Sequence, residues 1–294
     1  MLLTLKPLLS SIVDYAGLFP PAQLSLSKAV RVYDRAQSSP YHWLLGRFVL
    51  PASRLPEFVT LLENVPNGYS RNWPLSVILS QNWAAEIELV CQLQAANHHI
   101  LISLFEVVPL PPAAIHQLCS QVPQGVNTFF ELPWETDIDP YLTLLQQVRA
   151  GAKLRTGGIT HEAFPTSTQL GQQIIAFAKA KIPFKATAGL HHPLRSQHHL
   201  TDAPNSASTT MHGFLNVALL AALAYHQKVT LDDAIALLEE HSIHSFQFTE
   251  AAIHWRDYSC SLAELEQSRQ QFFHSFGSCS IQAPIDDLQT LRLL

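Results

Sequence analysis

The chain has 294 residues, 47% hydrophobic and 14% charged, which is enough apolar material for a large core. Its formal net charge of −5, with histidines counted neutral, shows no basic field of the kind that nucleic-acid binding uses. The four cysteines, Cys91, Cys119, Cys260 and Cys279, form no CxxC pair and fit free thiols in a reducing cytoplasm.

The opening stretch "MLLTLKPLLSSIVDYAG" is apolar but interrupted by Lys6, Pro7 and Asp14, so no signal peptide is read. Apolar runs then recur at intervals and predict strands: "SIVDY" (11–15), "WLLGRFVL" (43–50), "LSVILS" (75–80), "HILISLF" (99–105), "NTFFEL" (127–132), "AKLRT" (152–156), "PFKATA" (183–188) and "GSCSIQ" (277–282). They lack clean polar alternation, as parallel strands covered on both faces do. Helices are predicted between them at 25–36, 53–65, 82–96 and 166–182, each starting on a serine, threonine or asparagine that can cap it.

The order of elements predicts an α/β fold, a (β/α)8 TIM-type barrel forming one domain over 1–294. A doubly wound open sheet is the competitor, but no GxGxxG or GxxxxGK[ST] stretch follows any strand, and no cofactor is implied. The interval 190–274 is too long for an ordinary loop and reads as a loop and helical insertion between the seventh and eighth strands. It holds the polar stretch "RSQHHLTDAPNSASTT" (195–210), read as a lid, and predicted helices at 211–227, 230–241 and 261–273, with an added strand within 246–255. "FLNVALLAALAY" (214–225) is shorter than the roughly 20 residues that span a bilayer. No membrane association is expected; the stretch reads first as an internal helix and second as a contact between copies of the chain.

Alternation along a strand puts Lys153 and Arg155 on one face, and Lys185 and Thr187 on one face of the next strand, with Leu154, Phe184 and Ala186 opposite. Pointing inward, three cations on adjacent strands repel one another unless anions compensate. Either crowding and burial depress a lysine pKa and free an amine for imine or base chemistry, or the cations stay charged and bind an anion with help from backbone N–H groups at Gly157, Gly158 and Gly189. A third reading pairs the lysines with barrel carboxylates such as Glu131 and Asp14 as a structural device.

The segments "KLRTGG" and "FKATAGLHHPLR" resemble, in order and separation, the K-T-S-T-G and V-K-A-x-G-G-I-R segments of class I aldolases of the deoxyribose-phosphate aldolase type. The resemblance implies Lys153 as imine-forming lysine and Lys185 as the lysine that lowers its pKa. Leu154-Arg155 stands where that family has small residues, and "LHH" replaces its second glycine and isoleucine. The whole chain resembles uncharacterised bacterial proteins sharing "DYAGLFPP", K-x-R-T-G-G and "FKATAGLHHP", a resemblance that implies no particular activity.

Other residues complete the expected site. Asp14 and Glu131, at strand ends, are read as proton carriers or counter-charges. His191 is read as a proton carrier, His192 as a substrate contact, Arg47 as an inward charge pairing with Glu106 or Glu131, and Gln282 as closing the ring at the eighth strand. A metal site would need His191, His192, His198, His199 or His212 to converge with Glu131 or Asp14; no HExxH or HxH stretch supports one. The leading expectation is a lysine-dependent lyase or isomerase acting on a small anionic carbonyl compound. The alternatives are a noncatalytic barrel binding an anionic ligand and a metal-dependent hydrolase using the loop histidines.

Overall fold

The computed structural model describes residues 4–63, 73–96, 100–134, 136–201 and 205–294. Residues 1–3 of the apolar start, 64–65 of a predicted helix, His99 of a predicted strand and 202–204 of the polar stretch lie outside the described residues.

In chain order come α1 (Leu5–Leu9), β1 (Val13–Tyr15), α2 (Leu26–Gln37), β2 (Leu45–Pro51), α3 (Leu55–Glu63), β3 (Trp73–Leu79), α4 (Trp83–Ala96) and β4 (Ile100–Val107). Then follow α5 (Pro112–Cys119), β5 (Asn127–Glu131), α6 (Asp139–Val148), β6 (Gly151–Arg155), α7 (Ser167–Ala180) and β7 (Phe184–Thr187). A long excursion holds β8 (Ser196–His199), β9 (Ser208–Met211), α8 (Phe214–Tyr225), α9 (Leu231–Leu238), β10 (Phe246–Phe248), β11 (Ala252–Trp255), β12 (Tyr258–Ser261) and α10 (Leu262–Gln271). The chain ends with β13 (Phe273–Ser278) and α11 (Gln282–Thr290). β1 to β7 and β13 pair in parallel and close into one ring in the order β1-β13-β7-β6-β5-β4-β3-β2, the (β/α)8 barrel.

Helix starts follow from capping chemistry. Ser25 accepts from the Lys28 N–H at the start of α2. Thr166 with Gln169, Thr230 with Asp233 and Ser261 with Glu264 form reciprocal capping boxes at α7, α9 and α10. The excursion departs from expectation in one detail: 246–255 forms a hairpin, β10 with β11, to which β12 adds a third strand. Residues Phe214 to Ala224 of α8 are all buried, and the helix packs on α7, α9 and α10. A helix apolar all round belongs inside, and this one is an internal helix.

The eighth barrel strand begins earlier than expected. The helix expected to end at 273 stops at Gln271, and β13 occupies Phe273–Ser278. Phe272 and Phe273 read as the end of an amphipathic helix, but both pack on Phe184 instead, with ring centroids 5.0 and 4.8 Å away. α1, α5 and α6 lie outside the predicted elements, and α11 begins at Gln282, the last residue of the expected eighth strand; the four complete the helical layer.

The apolar core lies between the strands' outer faces and the helices. On one side Tyr33, Phe48, Phe58 and Trp73 interlock, with Tyr33 and Trp73 centroids 4.7 Å apart and Phe48 and Phe58 5.5 Å apart. Three register irregularities then set what the lumen contains. β4 skips Ser103 in its pairing with β3, β13 carries one extra residue between Phe273 and Phe276 opposite β7, and β2 carries one between Leu45 and Phe48 opposite β1. Each extra residue shifts the inward–outward phase of its strand.

Candidate active site at the C-terminal face of the barrel

Every barrel strand sends a polar side chain into the lumen, and the ionised ones bond in a single alternating series. From the loop face downward, Arg155 Nε donates to Glu131 Oε1 at 2.8 Å, and Glu131 Oε2 lies 3.0 Å from Lys153 Nζ. Lys153 Nζ is 3.5 Å from Glu106 Oε2, whose other oxygen accepts from Lys185 Nζ at 2.5 Å. Lys185 Nζ also donates to Asp14 Oδ2 at 2.7 Å, and Asp14 Oδ1 stands 3.6 Å from Arg47 Nη1. Ser76 Oγ donates to Glu106 Oε1 at 2.8 Å and Ser275 Oγ to Asp14 Oδ2 at 2.6 Å, so β3 and β13 complete the ring of contributors.

Lys153 and Lys185 stand side by side in the register of β6 and β7, as do Arg155 and Thr187. The expected sidedness therefore holds: Leu154, Phe184 and Ala186 lie in the apolar core. Anions compensate the cations, and the contacts of Lys153 with Glu131 and of Lys185 with Asp14 are those of the third expected reading. A carboxylate stands between each pair of cations, and burial of charge is compensated by contact rather than by loss of a proton. Burial alone would lower the Lys185 pKa, but Asp14 and then Glu106 outweigh it and raise it above the ordinary lysine value. Burial likewise pushes the Asp14 carboxyl up, yet Lys185, Arg47 and Ser275 bring it down to about 2. Glu106 and Glu131 show the same balance, with the lysines, and for Glu131 also Arg155, holding them below the usual carboxylate range against burial. Of the two expected alternatives, Lys185 follows the one in which the cation stays charged, because the charges that crowd it are of opposite sign.

The two lysines differ in how tightly they are held. Lys185 is 0% exposed with contacts of 2.5 and 2.7 Å; Lys153 is 3% exposed with contacts of 3.0 and 3.5 Å and sits beside Glu131, the last residue of β5. Arg155, its side chain 49% exposed, ends the series at the mouth. The Trp134 indole donates to the Arg155 carbonyl at 2.9 Å and ties the loop after β5 to this strand end.

The loops after β6 and β7 cross in close contact. A Cβ at Gly157 would meet the Gly189 Cα at 2.7 Å, and one at Gly189, whose φ is +76°, would meet the Thr156 carbonyl oxygen at 2.4 Å. The Thr156 hydroxyl donates to the Ala188 carbonyl, and the Thr156 N–H to the Thr187 carbonyl at 2.9 Å. Glycine is required there for backbone packing. Among the described residues, the N–H groups of Gly157, Gly158 and Gly189 donate to no protein acceptor.

Several expected site residues lie elsewhere. Gln282 opens α11, is exposed and donates to Asp286 at 2.6 Å, because β13 ends before it and the chain has already left the barrel. His192 Nδ1 is 2.6 Å from Asp287 Oδ2, and its ring stacks on His198 at 3.3 Å between centroids, so it ties β8 to α11. His191 is pushed down to about 4, by burial first and then by His192 and His198, and makes no hydrogen bond to the ionic series among the described residues. His212 bonds the Pro165 carbonyl oxygen through Nε2 and meets Arg195 through Nδ1. Among the described residues no group of three or more histidine, cysteine, aspartate or glutamate side chains is arranged to hold a metal ion. Arg47 is inward as expected, but its acidic partner is Asp14, and its Nε donates to Ser103 at 3.1 Å.

Sequence reasoning missed Glu106 as the centre of the series, and Ser76, Ser275 and His274. Ile100 and Ile102 lie in the core with Phe105 and Val107, so the phase of β4 changes at Ser103 and Leu104, turning Glu106 inward. By strict alternation Glu106 would face the helices with Ile100 and Ile102. The irregularity in β13 likewise brings Ser275 to Asp14 and His274 against Phe129, at 5.3 Å between centroids. Only the hydroxyl and charged residues inside apolar runs, as in "ILISLFE" (100–106), mark such positions in sequence.

No protein-family model, curated protein sequence or solved structure matches the chain. The resemblances to bacterial barrels and to class I aldolases rest on their motifs alone.

Proposed function

We propose that the chain is an enzyme of lysine-dependent lyase or isomerase chemistry, taking a small anionic carbonyl compound at the C-terminal face of its barrel. The observation that carries this reading is the alternating series itself. Arg155, Lys153, Lys185 and Arg47 are four cations against three carboxylates, Glu131, Glu106 and Asp14, which leaves one positive charge over, with its accessible end at the mouth. An anionic substrate neutralises that surplus. Arg155 and the N–H groups of Gly157, Gly158 and Gly189 supply the donors.

In this reading the substrate carbonyl meets Lys153, the more loosely held amine. The Lys153 ammonium passes a proton to Glu131 or Glu106, and the neutral amine adds to the carbonyl carbon to give a carbinolamine. Loss of water, with the proton returned by the same carboxyl, gives a protonated imine. That cation accepts the electron pair released when a neighbouring carbon–carbon bond breaks or an α-proton leaves. Lys185 remains an ammonium and fixes Glu106 and Asp14 in place.

Borohydride trapping with a panel of short aldehydes and keto acids, followed by peptide mass mapping, tests this. The expected result is a reduced adduct on Lys153 that is absent from Lys153→Met. A second reading, a noncatalytic barrel that binds an anion, is favoured by the raised pKa of Lys185 and the complete pairing of both amines. Saturable anion binding lost in Arg155→Gln, with no adduct across the panel, decides for that reading.

A further inference from the structure

The opposite end of the barrel carries a second cationic feature, independent of the mouth. A cleft of about 510 Å³ opens between the C-terminal ends of α6 and α7. Ala180 and Pro183, both half-buried, give it a small accessible apolar surface over the buried Leu145 and Ile182, and the exposed Arg149, Lys179 and Lys181 line it with three cations and no carboxylate. Among the described residues none of these three forms an ion pair, in a chain whose net charge is −5.

Two structural explanations cover part of this. Cations suit helix C-termini, but each terminus carries only about −0.5 of an elementary charge, so two termini offset about one of the three. The backbone adds a second point. Arg149 (φ 55°) and Lys181 (φ 53°) end α6 and α7 in the left-handed region, where glycine is the easier residue. Six other non-glycine residues take positive φ as well, among them Gln227 after α8 and Arg292 after α11, so the conformation alone does not single out these two; what is particular to Arg149 and Lys181 is that their helix ends adjoin. A hydrogen bond from Gln146 Nε2 to the Ala180 carbonyl, 2.6 Å, joins the two ends and keeps their cations together.

About two positive charges remain over a small apolar surface, in a volume within the range of small-molecule sites. We infer that this cleft binds an organic phosphate monoester, whose phosphoryl group carries about −1.5 to −2 at neutral pH and offers three acceptor oxygens, while its apolar body lies on Ala180 and Pro183. Because barrel chemistry sits on the other face, the ligand here is an effector rather than a substrate.

Titration calorimetry of the full chain with AMP, ribose 5-phosphate, inorganic phosphate and, as uncharged control, adenosine tests the site. At least one organic phosphate is expected to bind saturably, one per chain, and at least about tenfold more tightly than adenosine, since each cation contributes roughly threefold to tenfold. Arg149→Gly and Lys181→Gly remove charge at positions glycine accepts without strain, so thermal midpoints stay within a few degrees while affinity falls roughly threefold to tenfold singly and further in the double variant. Three results would each overturn the proposal: no saturable binding of either organic phosphate, affinity unchanged in the double variant, or binding abolished by Arg155→Gln instead, which would put the phosphate at the mouth.

Discussion

The barrel lumen and the layer between barrel and helices are built from alternate residues of the same strands, yet they follow opposite rules. Along β6, Lys153 joins an ionic series while Leu154, next to it, packs into the apolar core. The outer layer is held by area: Tyr33, Phe48, Phe58 and Trp73 exclude water with no charge among them. The lumen is held by pairing, where each charge is tolerable only because its neighbours are present. Replacing a buried ionic network by apolar residues of similar volume is often neutral or stabilising, so the charges of the lumen are costly to keep where those of the mouth are not.

Removing a partner from each region separates these rules. Lys185→Met leaves Asp14 and Glu106 buried without their shared cation, and a loss of about 3–5 kcal/mol in unfolding free energy is expected near pH 7. The loss should shrink toward pH 4 as those carboxylates, no longer held low, take up protons. Leu154→Ala, on the outer face of the same strand pair, should cost about 3 kcal/mol through its cavity, and by the same amount at every pH. Urea unfolding of both variants at pH 7 and pH 4.5 measures this; equal pH dependence in the two would erase the distinction drawn between lumen and shell.

A smaller effect comes from four histidines outside the ionic series, one buried and three half-buried. His191, His198, His212 and His274 are each pushed down to about 4, by burial first. They are neutral in the fold, whereas the unfolded chain takes up protons below about pH 6.5. Their contribution is therefore complete above pH 6.5 and lost as pH falls toward 4. Asp14, held at about 2, adds a further loss from about pH 3.8 downward. Stability should begin to fall near pH 6, well before carboxylates titrate. His212→Gln should reduce the slope between pH 6 and pH 4.5 by about 1.4 kcal/mol per pH unit, the equivalent of one proton. A midpoint that stays flat from pH 7 to pH 4.5 would show that these rings titrate normally.

Much of the fold was legible in the chain because parallel strands covered on both faces are apolar runs, and caps such as Ser25, Thr166 and Thr230 mark where helices begin. The inward direction of Lys153, Arg155, Lys185 and Thr187 was legible for the same reason: β6 and β7 keep strict alternation, and their register places them in pairs. Where alternation breaks, reading failed. Glu106 and Ser275 follow irregularities in β4 and β13, and Gln282 was assigned to a strand that had begun nine residues earlier at Phe273.

What the amino-acid order determined by itself was local: which segments are apolar with which period, where hydroxyl caps open helices, and which lysines share a face with which arginine. What only the closed barrel decided was the company those lysines keep. Asp14 and Lys185 are 171 positions apart, and Glu106 lies 79 positions from Lys185, yet one ammonium bonds both. Ring closure brings β1 beside β13 and, across the lumen, to β7, and three one-residue irregularities set the phase at which the carboxylates arrive. Charge state inside a protein depends on neighbours within a few ångströms, and those neighbours are chosen by strand pairing rather than by sequence proximity.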